Sequence, residues 1–510
     1  MGNILRTPAS SSGIVNVPTE SPRKRKRRDS DESGDTEDSN SHSCCKSRRK
    51  KTKTTSQYIY NALFENGENS DIKICAFKHE WNLHKIYLKQ AKYFSGMFQS
   101  QWKESLMGVI DLQIPDENVT KESLNTALGS LYSDEVDISP ETVVSVLSAA
   151  SLIQLEGLMQ QCSDAMKEYV CCENVCNYYA NARMYGQGQV ERKCIKWMEN
   201  NLMMQTKNIS FLTQIEPELM AKIVSSSNLF VLQVEMDVYT LLKKWAFLRM
   251  RSNSMNDFDD KNLATVASEY FQEKFKTNGN VFLETPEGAM FIKAFQAVRL
   301  CNVIIEFGCC LELEKDCIVP PSWLMPLYRE RWLTMLRVEQ GVDHGPQSGS
   351  SLDSMSLRCG RILQQDTDHC WRWNGYNFAL DLLVTYNASA NSKYLLLKRN
   401  IQSQRRRASV GLTPVRRILY HIRVFSVNKK GHVVNKVSCG PSFLALEKDD
   451  ERIVLHFNSG EKLHFPLLVT ATFKIVSARD MGNSSFRIPP ISLTAQSLSF
   501  HDDESDLTTS

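Results

Sequence analysis

Hydrophobic periodicity changes from a helical to an alternating pattern near residue 356, and that switch rules out one uniform core. Upstream, apolar side chains recur at three- and four-residue spacing, as in ETVVSVLSAASLIQLEGLMQQCSDAMKEYV, Glu141 to Val170. That spacing suits helices that each bury one stripe. Downstream, WRWNGYNFALDLLVTY, KYLLLKR, RILYHIRVFSV, SFLALE, ERIVLHF and KLHFPLLVTATFKIV are short, β-branched or aromatic, and punctuated by NG, KKG and SG. Such runs predict an all-β sandwich or barrel over residues 357–480. GVDHGPQSGSSLDS, Gly341 to Ser354, reads as a linker, placed at 341–356. A chain of 510 residues also exceeds the usual size of one domain.

Ahead of the helical region, residues 58–170 mix the two patterns. DIKICAF (Asp71 to Phe77) and GVIDLQI (Gly108 to Ile114) predict strands, with a helix through KYFSGMF between them and helices after Pro115. Residues 171–340 predict an α-helical domain. VCNYYANARMYG pairs with QVERKCIKWMENNLM, ELMAKIVSSSNLF pairs with EMDVYTLLKKWAFLRM, and PPSWLMPLYRERWLTMLR closes the set. Ser252 to Gly279 reads as irregular and loop-rich. The fold class is therefore multidomain α+β.

Both ends read as flexible. Residues 1–57 are poor in large apolar side chains and cannot offset the chain entropy of folding. Two cationic runs flank the acidic stretch DSDESGDTEDS there. The first is Arg23, Lys24, Arg25, Lys26, Arg27 and Arg28; the second contains Arg48, Arg49, Lys50 and Lys51. Exposed cationic pairs of this kind suit a nuclear-import receptor, so the expected location is the nucleus. They carry no interleaved aromatics, and no nucleic-acid partner is expected. QSQRRRAS, Gln402 to Ser409, reads as an exposed basic loop, and residues 481–510 as a second tail.

Catalytic signatures are missing. The sequence has no glycine-rich phosphate loop, HExxH, GxSxG or kinase motif. Cys359, Cys370 and His369 fall short of four ligands at a metal spacing, so no metal or cofactor is expected. Fifteen cysteines without a signal-peptide pattern suggest reduced thiols. No apolar run reaches membrane-span length. Gly2 lacks the usual hydroxyl context for myristoylation, since Arg6 occupies that place.

The stretch LHKIYLKQAKYFSGMFQSQWKES, Leu83 to Ser105, is dense in aromatic and aliphatic side chains. Tyr93, Phe94, Met97 and Phe98 fall at helix spacing and are expected to face a core, with His84 a satisfied core histidine. Trp102 and Glu104 lie beyond that helix. A large aromatic beside a carboxylate suits a protein-binding hot spot.

From Ser70 onward the segment resembles the BTB/POZ domain. The resemblance rests on Asp71, His84-Lys85, Leu88, Tyr93-Phe94 and Met97-Phe98, with Ala91 where that family often has serine. Trp102-x-Glu104 resembles the hydrophobic-x-Glu motif of BTB adaptors that recruit cullin-3. QQCSDAMKEYVCCENVCNYYANARMYG and SSNLFVLQVEMDVYTLLKKW resemble the BACK domain that follows BTB in such adaptors, the second with an acidic residue, Glu235, ahead of its apolar helix. Across residues 56–476 the chain resembles the germ cell-less group.

The resemblance implies a non-enzymatic substrate adaptor of a cullin-3 ubiquitin ligase acting in germ-cell development. It would dimerise through its BTB unit, dock cullin-3 through Met97, Phe98, Trp102 and Glu104, and hold a protein substrate on the C-terminal β domain. Trp371, Trp373 and Tyr376 are candidates for that substrate surface, although a sandwich core is the commoner place for such rings. The alternative is a structural or transcriptional-repression scaffold at the nuclear envelope, with lamina proteins as partners and no ligase role.

Overall fold

The structure, a computed structural model, describes residues 55–99, 108–133, 136–251, 262–276, 280–304, 307–339, 356–376, 380–389, 392–399, 415–447, 449–457 and 463–475. All of them belong to one unit, Thr54–Ser510.

The first part is a small sheet wrapped by helices. β1 (Ile72–Ala76) pairs antiparallel with β2 (His79–Leu83) and parallel with β3 (Val109–Asp111). The parallel pair requires a crossover between β1 and β3. That crossover includes α2 (Lys85–Leu88) and α3 (Lys92–Gln99). α1 (Thr55–Ile59) precedes the sheet, while α4 (Lys121–Gly129), α5 (Val143–Leu152) and α6 (Glu156–Tyr169) follow it. The predicted strand over Gly108 to Ile114 is thus three residues long. The 141–170 run splits into α5 and α6 at Gln154, whose φ of +56° breaks the helix.

Next come helices packed on one another: α7 (Val175–Met184), α8 (Gly188–Asn201), α9 (Ile209–Gln214), α10 (Pro217–Ser225), α11 (Glu235–Met250), α12 (Leu263–Lys276), α13 (Ile292–Gln296), α14 (Phe307–Lys315) and α15 (Pro321–Glu339). α12 corrects the loop-rich expectation for Ser252 to Gly279. Leu263, Ala267, Phe271 and Phe275 recur every fourth residue and all four are buried, which is the stripe of an amphipathic helix. Residues 252–261 and 277–279 lie outside the described set.

The C-terminal part is a two-sheet sandwich. One sheet runs β10 (Ser442–Leu446), β8 (Arg416–Val427), β12 (Leu467–Ile475), β4 (Leu357–Leu363), with β9 (Val433–Ser438) also paired to β8. The other runs β11 (Glu451–Phe457), β7 (Lys393–Arg399), β6 (Leu380–Asn387), β5 (His369–Tyr376). Leu357, Cys359, Leu363 and Phe473 of the first sheet share one apolar core with Trp371, Trp373 and Val384 of the second. Alternation sends the intervening residues of β4, Arg358 and Gly360, to the opposite face. Those residues are covered by the helices, so Leu357 to Gly360 are buried on both sides.

That contact joins the helical and β parts through named bonds. Arg358 reaches Glu235, the first residue of α11, through both Nε and Nη2, with Nε to Oε2 at 3.0 Å. Its Nη1 donates to the carbonyls of Val224 and Ser226, at 2.8 and 2.9 Å. Glu235 Oε1 also accepts from the Arg299 backbone N–H at 3.0 Å, and Arg299 Nη1 donates to the Ser356 carbonyl at 2.6 Å. Gly360 N–H donates to the Gln233 carbonyl at 3.0 Å. A Cβ on Gly360 would come within 1.6 Å of the Val231 carbonyl oxygen, so only glycine lets the strand approach this closely. Phe425 and Leu468 of the sandwich belong to the same apolar core as the helices. Residues 340–355, most of the predicted linker, lie outside the described set, while Ser356 is buried and bonded to Arg299.

Candidate protein-docking site

The segment singled out by sequence is organised around α2 and α3. β2 delivers His84 to the N-terminal cap of α2 in extended conformation, and its own side chain makes no cap bond. Asp71 supplies one from across the sheet, its Oδ1 accepting from the Lys85 backbone N–H at 2.8 Å. The acid before β1 thus caps the helix that follows β2. Asp71→Ala is expected to cost about 1 kcal/mol of stability, the usual worth of a helix cap, read as a lower urea midpoint with an unchanged m-value.

His84 is buried, and both ring nitrogens have partners. Nε2 lies 2.8 Å from the Glu68 carbonyl and Nδ1 lies 3.2 Å from the Tyr132 hydroxyl. A carbonyl can only accept, so Nε2 carries a proton and donates to Glu68, while Nδ1 pairs with the Tyr132 hydroxyl. Burial pushes the Tyr132 phenol up to about 12, which keeps it protonated for this bond. His84 is therefore held in place by structural bonds at both ring nitrogens.

α3 turns one face inward. Phe94 of α3 is completely buried, as are Leu88 at the end of α2 and Ala91 between the two helices, and Met97 and Phe98 of α3 are half-buried against the same core. The Phe94 and Phe98 rings stack at 6.3 Å, with Lys85 Nζ 5.9 Å from the Phe98 ring. Tyr93 departs from the core expectation, and Ile86 on the neighbouring helix is likewise turned outward. Tyr93 sits at the exposed edge of the helix, its ring edge-on to Phe94, and Ile86 is 76% exposed on α2. Helix geometry explains both: neighbours of the inward-facing residues rotate by about 100° toward solvent. Trp102 and Glu104 lie outside the described residues, as do the cationic runs at Arg23–Arg28 and Arg48–Lys51.

Trp371 and Trp373 do not form a substrate groove. They are 7% and 2% exposed, meet edge to face at 5.7 Å, and Trp373 also packs on Phe473. Their indoles fill the sandwich because alternate residues of β5 face inward. The Tyr376 backbone ends β5; its side chain is outside the described set.

A separate open groove of about 510 Å³ runs between α7 and the start of α10. Cys176, Tyr179, Met184 and Leu219 are among its apolar lining residues, and Arg183 and Glu218 among its charged ones. Sequence reasoning missed the residues that hold the β domain on the helices: Arg358, Gly360 and Arg299. Arg358 and Gly360 lie in the run RCGR, residues 358–361, where nothing local tells an inward arginine from a solvated one.

Among the described residues no group of His, Cys, Asp and Glu is arranged to hold a metal ion, and no helix is long and apolar enough to cross a membrane. The described cysteines are all free thiols.

The arrangement of a three-stranded sheet, a capped crossover and following helices defines a BTB-domain protein. Residues 60–169 match the BTB/POZ domain family. The chain is 45% identical over 433 residues to human germ cell-less protein-like 1, covering 84% of this chain and 82% of the relative. It is 44% identical to human germ cell-less protein-like 2 over 84% of this chain and 81% of that relative. It is 31% identical to Drosophila melanogaster protein germ cell-less over 92% of this chain and 85% of that protein. The chain belongs to the germ cell-less family.

Proposed function

We propose that this protein is a non-catalytic substrate adaptor of a cullin-3 ubiquitin ligase. The observation that carries the reading is the α3 geometry. Met97 and Phe98 are anchored half-buried against the BTB core, and Trp102 and Glu104 follow within six residues. An aromatic anchor with an orienting carboxylate is the make-up of an interface hot spot. The BTB unit also leaves Tyr58 and Val109 exposed, at 64% and 50%, which supports association with a second copy. The β domain carries the protein substrate. Its buried bonds to the helices fix its direction, and fixed spacing suits a ligase in which other subunits supply the chemistry. The cationic runs support action in the nucleus, with nuclear-envelope or lamina proteins among the partners, and the family supports a role in germ-cell development.

Co-precipitation of cullin-3 with the Trp102→Ala/Glu104→Ala variant tests the assignment. Loss of a hot-spot pair is expected to cost about 2 kcal/mol or more, at least a thirtyfold weaker complex. Undiminished recovery by a variant that melts like the wild type would reject the docking site and favour a scaffold without ligase function.

A further inference from the structure

Where α8 meets the β8–β9 hairpin, the fold gathers cations from both sides of one seam. Trp197 Nε1 donates to the Lys430 carbonyl and Asn201 Nδ2 to the Gly431 carbonyl, each at 2.9 Å. Gly431 has a φ of +83°, and a Cβ there would lie 2.6 Å from Trp197 Nε1. The hairpin is therefore seated directly on the helix. Lys193 and Lys196 occupy adjacent turns of α8, three residues apart, and share a face.

The opposite bank comes from β8 and β9. Arg423 pairs with Ser438 and Phe425 with Lys436, and strand alternation places His421, Arg423, Lys436 and Ser438 on one face. His421 Nε2 lies 3.0 Å from the Ser438 hydroxyl. The Arg423 guanidinium donates to the Asn228 carbonyl and lies 5.9 Å from the Phe425 ring, which fixes its position. Lys196, Lys430 and Lys436 are exposed.

Burial and neighbouring cations act together on the groups of this seam. Burial, then Arg423 and Lys436, holds the His421 imidazole down at about 4. Burial, then Arg423 and Lys196, lowers Lys436. Burial, then Lys193 and in lesser part Lys430, lowers His432. The carboxylates acting on these groups are Glu199, beside Arg423, and Glu168, beside His432. Glu199 already accepts the Ser226 hydroxyl. Lys193, Lys196, Arg423, Lys430 and Lys436 thus border one seam, and an external anion would offset their mutual repulsion.

We propose that the seam between α8 and the β8–β9 hairpin docks an acidic peptide segment, rich in Asp and Glu, of a protein partner. The surface lies on the helical and β parts, so the proposal does not rest on the cullin-3 reading.

Fluorescence anisotropy of the full chain with a labelled oligoglutamate peptide tests it, with oligoglutamine and oligothymidylate as competing probes. The wild type binds oligoglutamate in 0.1 M salt, where the Debye length is about 10 Å, and releases it in 1 M salt, where it is about 3 Å. Lys196→Glu/Lys430→Glu/Lys436→Glu weakens binding about tenfold or more. The corresponding glutamine triple variant, which adds no like-charge acids, weakens it in the same direction. Unchanged affinity in a folded triple variant would overturn the proposal, because the N-terminal cationic runs would then hold the peptide. Equal binding of oligoglutamine, or tighter binding of oligothymidylate, would overturn it as well.

Discussion

Arg358→Ala is expected to destabilise the chain by about 3–5 kcal/mol, the usual cost of removing one partner of a buried ion pair. Arg358 and Glu235 are 1% and 0% exposed at the side chain, so water cannot replace the lost guanidinium. The substitution also strips bonds from the Val224 and Ser226 carbonyls at the end of α10. Glu235 keeps the Arg299 N–H and its place at the α11 N-terminus, where the helix dipole favours a carboxylate. These partners moderate the loss without cancelling it. Urea denaturation should show the shift, and limited proteolysis should cut between Glu339 and Leu357 faster than in the wild type. A Glu235→Leu/Arg358→Leu double variant should recover part of the stability, because an apolar pair leaves no charge unmatched. A wild-type midpoint for Arg358→Ala would show that the ion pair does not hold the two parts together.

Lys243→Ala is expected to have an effect of similar size by the same physics within the helices alone. Lys243 Nζ donates to Asp316 at 2.8 Å, Glu312 at 3.0 Å and the Ser268 hydroxyl at 2.8 Å. Lys243 and Asp316 are each 1% exposed, whereas Glu312 is 46% exposed and water can serve it. The unmatched charge is therefore Asp316, left with the Tyr239 hydroxyl at 2.9 Å. The network ties α11 to α12 and α14. A loss of about 3–5 kcal/mol follows, read as a lower urea midpoint. Proteolysis should then open the helical region first, without selective cutting before Leu357. Equal stability of Lys243→Ala and wild type would mean that Asp316 is solvated in the native protein.

Much of this architecture was legible in the sequence. The switch in periodicity separated helices from sandwich because both patterns are local, set by 3.6- and 2-residue repeats. Asp71, His84, Leu88 and Phe94 were readable as one unit, and each has a packing or capping role. α12 escaped because its four-residue stripe is flanked by polar, Asn-rich sequence that reads as loop. β4 escaped because Arg358 and Arg361 make Leu357–Leu363 look like a solvated edge. The tryptophans of β5 drew attention as an aromatic cluster, and only the opposing sheet turned them into core.

Sequence by itself determined the family, the division into helical and β parts, and which side chains are apolar enough to be buried. Those properties depend on neighbours a few positions away. Tertiary structure alone decided that Arg358 faces Glu235, 123 residues earlier, and that cations of α8 and β8–β9 share one seam. Such pairings join segments far apart in the chain, and charge carries no mark of its partner until packing removes the water between them.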